Sequence, residues 1–258
     1  MNELIKYILH LGDNALILGH RNSEWTGHGP ILEQDIAISN IALDLIGQAR
    51  NFYQYAAMLI NDSTNQPNNL STEDTLAYLR DANDFKNFLL VEQANGDWAK
   101  TILRQFSFSA YQFYLYQQLQ NSNDETIAAI AEKSLKEVTY HLRWSSEWII
   151  RLGDGTEESH SRMLKAIDDL WMYTDEFFEA SSYELFAANE GFGADVSLLK
   201  NDWMKKVRDV FDGATLSFPP ELKQQIKWFG KEGKHSEHLG YVLTEMQFLQ
   251  REYPNSVW

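Results

Sequence analysis

Apolar residues recur along this chain in steps of three and four, and almost nowhere do they alternate with polar ones. A period near 3.6 puts such residues on one face of a helix, whereas a half-buried strand needs a period of two. The pattern predicts helices over roughly 2–21, 31–60, 72–90, 97–120, 124–152, 157–188, 196–212 and 235–251. Two of them carry strong inward stripes. In the second, Ile38, Ile41, Ala42, Leu45, Ala49, Phe52, Tyr53, Ala56 and Ile60 share a face. In the fifth, Ile127, Ile130, Ala131, Leu135, Val138, Leu142 and Ile149 do so, with His141 inside the stripe.

The breaks between helices have chemical reasons. His28-Gly29-Pro30 closes the first helical hairpin, since proline suits a helix start but not its interior. Asn61 to Asn69 reads as a polar loop, and Ser71 with Asp74 resembles a capping box for the helix that follows. Asn95-Gly96-Asp97 is a turn, and Gly153-Asp154-Gly155-Thr156 supplies a glycine stop and then a threonine cap. Gly191 to Gly193 and Phe218-Pro219-Pro220 bound the seventh helix, the weakest of the set. No repeat, low-complexity tract or long linker intervenes, so one all-α domain over 1–258 is expected. Long apolar helices joined by short turns pack as an antiparallel bundle, here with additional helices.

Charge and composition narrow the function. Basic residues number 22 against 37 acidic ones, a net of −15, and a field of that sign opposes nucleic-acid binding. No apolar run approaches the roughly 20 residues of a membrane span. The opening Asn2-Glu3-Leu4-Ile5-Lys6-Tyr7 reads as an amphipathic helix and not an export signal, so a soluble, cytoplasmic protein is expected. Zero cysteines exclude disulfides, thiolate metal sites and a cysteine nucleophile.

A bundle of this kind invites a search for a di-iron carboxylate site, built from two lone carboxylates and two Glu-x-x-His motifs on four helices. The chain offers near misses. Glu137 and His141 are four apart, with Val138 three before the histidine; Asp44 and Gln48 are four apart, with Leu45 three before the glutamine. Literal Glu-x-x-His occurs at Glu157–His160, in an opening helical turn where acids suit the macrodipole, and at Glu232–His235, in a glycine-rich approach to the last helix. Neither has a matching second motif.

Several stretches together resemble one family: Leu11-Gly12-Asp13-Asn14-Ala15-Leu16, Ser23-Glu24-Trp25, Ile41 through Phe52, Leu90-Val91-Glu92-Gln93, Tyr140-His141-Leu142-Arg143 and Glu237-His238-Leu239-Gly240. They resemble, in order and along the whole chain, the C subunits of bacterial phenylacetyl-CoA epoxidases (ring-1,2-phenylacetyl-CoA oxygenases). The resemblance implies a ferritin-like fold and a non-catalytic, structural role in aerobic phenylacetate degradation. It also implies a homologous A subunit as partner, which carries the di-iron centre and inserts oxygen into phenylacetyl-CoA. Carried across by motif, Glu24 matches the A subunit's first-helix glutamate and His141 a histidine ligand. Leu45, Gln48, Ser109 and Val138 stand where the other ligands would be, so no metal or cofactor is expected in this chain. His141 then reads as a core histidine, and Glu137 and Asp44 as ion-pair or capping partners at the rim.

The same resemblance places Asp84-Phe85-Lys86-Asn87 and Leu185-Phe186-Ala187 where the family's C subunit approaches a CoA thioester held mainly by its partner. Aromatics at such positions are ordinarily core, which is the competing reading of Phe85 and Phe186. His235 and His238 share a face of the last helix, either as a polar patch or as a mononuclear metal site. Lys223, Lys227, Lys231 and Lys234, with Trp228 among them, form a stripe that is either a solvated face or a positive strip for CoA phosphates or an acidic partner face. Eight tryptophans and twelve tyrosines suit a lasting interface with a partner, and a homodimer of the chain alone. Two rivals remain from the residues themselves. One is a stand-alone di-iron oxygenase using Glu24, Asp44, Glu137 and His141; the other is a metal-binding module built on the C-terminal histidine pair.

Overall fold

A computed structural model of the chain describes residues 2–64, 71–219, 229–254 and 256, and among them every regular element is helical. The chain divides into two compact units, Met1–Ala94 with Trp228–Trp258, and Asn95–Lys227. The first division falls at the Asn95-Gly96-Asp97 turn. Among the described residues no helix is long and apolar enough to cross a membrane.

The first unit is organised around a hairpin of α1 (Glu3–Ser23) and α2 (Leu32–Thr64). Asn2 starts α1 by accepting the Leu4 N–H on its side chain at 3.1 Å. From Ile5 to Asn22 nearly every residue of α1 is buried, Lys6 and His20 being the exceptions. Its close approach to α2 depends on Gly12, where an added Cβ would lie 2.8 Å from the Tyr53 ring. The predicted stripe on α2 is buried from Ile38 to Ala56, with Ile60 only half-buried.

The helix predicted over 72–90 is not continuous. It resolves into α3 (Glu73–Tyr78), a single 3-10 turn at Ala82–Asp84, an extended stretch, and the one-turn α4 (Leu89–Glu92). The cap also differs: Thr72 accepts the Thr75 N–H and Thr75 answers to the Thr72 N–H, in place of Ser71 and Asp74. Side chains from α1 claim the backbone groups of residues 86 and 88, and those groups are then lost to a helical ladder.

The second unit holds the hairpin of α5 (Trp98–Leu119) and α6 (Glu125–Gly153), started by Asp97 and Asp124, whose carboxylates accept first-turn N–H groups. Against it pack α7 (Glu157–Leu170) and α9 (Val196–Gly213). Thr156 caps α7 as expected, and His160 bonds the Gly153 carbonyl at 2.7 Å. The helix predicted over 157–188 ends early. Two 3-10 turns, Trp171–Tyr173 and Asp175–Phe178, intervene before α8 (Ser182–Asn189). The break lets Trp171, Phe177 and Phe178 converge on Trp203 of α9 at ring separations of 5.6, 6.1 and 5.4 Å. The Trp203 indole donates to the Ser107 carbonyl at 2.9 Å, so the ring is both buried and satisfied. Ser181 and Glu184 then cap α8 reciprocally.

Replacing Gly12 by valine forces α1 and α2 apart at Tyr53. We expect a loss of about 1–3 kcal/mol, read as a lower urea midpoint with native helicity retained.

Candidate functional site

Two carboxylates lie fully buried in the first unit, and together they hold residues 80–93 as a strap. Asp13, in the middle of α1, accepts the Tyr53 hydroxyl at 2.6 Å, the Lys86 N–H at 2.7 Å and Arg80 Nη1 at 3.1 Å. Arg80 Nη2 also pairs with Asp13, and the guanidinium lies over the Phe85 ring at 4.2 Å. Burial acts to lower the Arg80 pKa, but the charges of Asp13 and Tyr53 outweigh it and hold it above the ordinary value. Burial, then the Asp13 charge, push the Tyr53 phenol well above its usual range. On either side, Asn14 accepts the Phe88 N–H at 2.8 Å and His10 Nδ1 donates to the Lys86 carbonyl at 2.7 Å.

Glu92 terminates α4 and receives four donors. Oε1 accepts the Ser236 N–H and hydroxyl at 2.7 and 2.8 Å; Oε2 accepts His235 Nδ1 at 2.7 Å and Asn87 Nδ2 at 2.9 Å. His235 Nε2 reaches the Phe85 carbonyl at 3.0 Å. Both ring nitrogens therefore face acceptors, the arrangement an imidazolium satisfies. Burial alone would lower the His235 pKa, but Glu92 and the Phe85 carbonyl raise it above its ordinary value of 6.5. Arg21 completes the clasp. Its Nε and Nη2 donate to the Glu92 carbonyl at 3.0 and 2.9 Å, and Nη2 also reaches the His238 carbonyl at 3.1 Å. The strap and residues 229–235 touch backbone to backbone, since a Cβ at Gly230 would lie 2.0 Å from the Asn87 oxygen.

These bonds correct the readings of the last helix. His235 lies outside α10 (Glu237–Glu252), which Ser236 begins, so it does not share a helix face with His238. Its side chain is 4 % exposed and both ring nitrogens are engaged, which removes it from a surface patch and from a metal pair. Lys231 is likewise buried, its ammonium 5.0 Å from the Phe88 ring centroid, while Lys234 is exposed; the solvated-stripe reading fails at Lys231. Lys223, Lys227 and Trp228 lie outside the described residues.

The ligand-like positions fall in both units. Glu24 is the C-cap of α1, partly exposed, and binds Arg21 Nη1 at 2.9 Å, so it steers the clasp's guanidinium from the solvent side. Leu45 and Gln48 are buried on α2. In the second unit Ser109, Val138 and His141 are all fully buried, with Ser109 accepting Gln105 Nε2 at 2.8 Å. Asp44 and Glu137 are half-buried. Among the described residues no three of His, Cys, Asp and Glu are grouped closely enough to hold a metal ion. Of the stretches expected near a CoA thioester, Phe85, Asn87 and Ala187 are buried, Lys86 is half-buried, and Asp84, Leu185 and Phe186 are exposed. The roles of Asp13, Arg80 and Glu92 were missed from the sequence. The available signal was an Asp-Asn pair and a glutamate set in otherwise apolar runs, at Leu11–Leu16 and Leu89–Glu92.

A chain built on long helical hairpins, with its buried charges bound to backbone and to one another, is of the all-α, helical-bundle class. Over residues 1–258 the sequence matches the Phenylacetic acid catabolic protein family, and the chain belongs to it. It is 46% identical over 258 residues to the C subunit of the 1,2-phenylacetyl-CoA epoxidase of Escherichia coli (strain K12), with 100% of each chain covered.

Glu92→Gln keeps one acceptor oxygen and turns an NH2 group toward the donors of the other, either His235 and Asn87 or Ser236, in a buried site. We expect a stability loss of about 3–5 kcal/mol, with faster amide exchange at residues 85–93. A second prediction concerns pH. Because folding raises the His235 pKa, its contribution is fully present below 6.5 and is lost as pH rises through the raised value. The stability gap between the native chain and His235→Gln should therefore narrow as pH climbs above 6.5, read by urea unfolding.

Proposed function

We propose that this chain is the structural, non-catalytic C subunit of a multicomponent phenylacetyl-CoA epoxidase. It would act in the cytoplasm in aerobic phenylacetate degradation. The observation that carries the reading is the full-length 46% identity to the C subunit of that enzyme. A homologous A subunit would hold the di-iron centre and perform the oxygen insertion, and this chain would support it. On its own the chain would be a homodimer.

The donor set supports a chain without its own metal. Leu45 and Val138, standing where carboxylate ligands would be, are buried and offer a cation no lone pair. Glu24, the retained glutamate, is spent on Arg21 at the end of α1. These residues do not fit a di-iron centre. Buried carboxylates without a metal would each cost several kcal/mol in lost solvation, on the order of a broken buried ion pair. Aliphatic side chains at those positions turn the cost into packing. Of the stretches expected near a CoA thioester, the groups open to such a ligand are Asp84, with half-buried Lys86, in the first unit, and Leu185 and Phe186 in the second.

The test is co-expression with the A subunit in iron-rich medium. We expect a stable complex, epoxidation only when both chains and a reductase are present, and far less than one iron per chain in this protein purified alone. About two irons per isolated chain, with turnover, would show a stand-alone di-iron oxygenase instead.

A further inference from the structure

Asparagine precedes glycine once in this chain, at Asn95-Gly96, in the turn that leads into α5. Asn95 is held at both of its oxygens. Arg104, 1 % exposed on α5, donates Nη2 to the side-chain oxygen, and the Thr101 hydroxyl donates to the backbone carbonyl at 3.0 Å. Gly96 takes a φ of +61°, which a residue with a side chain adopts only at a cost, so the turn itself asks for glycine here. Gly96 is exposed, and among the described residues its N–H donates to no group.

A free backbone nitrogen beside an asparagine side chain has a chemistry of its own. The Gly96 nitrogen can bond to Asn95 Cγ, closing a succinimide ring as the Cγ–Nδ2 bond breaks. The nitrogen's proton leaves with the amide group as ammonia. Water then opens the ring, at Cγ to give aspartate or at the backbone carbon to give isoaspartate. While Cγ is tetrahedral, negative charge collects on the side-chain oxygen, and that is the oxygen Arg104 holds. A buried guanidinium there polarises the amide beforehand and stabilises the oxyanion as it forms. Glycine also sets no side chain in the path of attack. Asn121 and Asn123 have neither advantage. The nitrogens that follow them belong to Ser122 and Asp124 and are engaged, at the Leu119 carbonyl (3.0 Å) and the Ser122 hydroxyl (3.1 Å).

We propose that Asn95 is a self-modification site, deamidated in the folded chain by the Gly96 nitrogen, with Arg104 as donor to the developing oxyanion. It stands independently of the subunit reading above. The aspartyl product sets a carboxylate against Arg104 and turns a polar contact into an ion pair. The isoaspartyl product inserts a methylene into the main chain just before Asp97, the N-cap of α5, and pulls apart the Thr101 and Arg104 bonds.

Ageing the purified full chain in mildly alkaline buffer tests this. Peptide mass mapping gives the site, ammonia release the extent, and labelling by an isoaspartyl methyltransferase the isomer. We expect residue 95 to convert ahead of Asn121 and Asn123. Arg104→Met, with its fold checked by circular dichroism, should convert at least about tenfold more slowly. The native chain unfolded in urea is a second reference without the Arg104 contact, informative even where that variant does not fold. The folded chain should convert at least as fast as this reference. An Asn95 that stays an amide in the folded chain while the unfolded one converts shows a turn that protects the pair, and overturns the proposal. Equal rates in the native chain and folded Arg104→Met overturn the part given to Arg104.

Discussion

A carboxylate buried beyond the reach of water must find its hydrogen bonds inside the protein, and Glu92 finds four from three residues distant in sequence or conformation. The consequence spreads outward. Ser236 and His235 are pinned where α10 begins, Asn87 is held at the end of an extended stretch, and Arg21 ties the α4 carbonyl back to α1. Asp13 acts in the same way from the middle of α1, and with His10 and Asn14 it exchanges a stretch of helical ladder at residues 86 and 88 for bonds to α1 side chains. The first unit is therefore a helical hairpin with a non-helical strap fastened across it by charge. Truncating either acid would leave donors stranded, which is why such networks are all or nothing.

That use of charge differs on physical grounds from what a metal site asks of buried acids. A di-iron site collects carboxylates around two cations, and the cations repay their desolvation. Here Asp13 and Glu92 are balanced by an arginine, a histidine and backbone N–H groups, and they sit where the strap needs anchoring. Leu45, Gln48, Ser109 and Val138, where the resemblance leads one to expect ligands, are all buried. Glu24 is a helix-end partner of Arg21, a role in which its charge costs little because it remains partly exposed.

The long helices were legible because each carries its own period and its own cap. Asp97, Asp124 and Thr156 start their helices where the sequence pattern places them, and the stripes of α2 and α6 are buried apart from half-exposed Ile60 and Leu135. The two failures, at 72–90 and 157–188, share a cause. Local propensity favours helix through both, yet contacts far away in sequence offset the broken ladder: α1 side chains in the first case, the aromatic cluster on Trp203 in the second. No window of neighbouring residues contains those partners.

Sequence alone determined the helical class, the hairpins and the family, since periodicity, caps and ordered motifs are properties of the chain read in one dimension. It also placed Leu45 and Val138 in the apolar stripes of their helices, because the identity of a residue needs no coordinates. Only the tertiary structure decided which polar residues are buried and for what. His235 and Lys231 read as surface groups and lie inside, while Asp13 and Glu92 read as members of a motif and turn out to be anchors. The physical reason is that a charge's role is set by the partners that surround it, and those partners are gathered by folding from places the linear pattern keeps far apart.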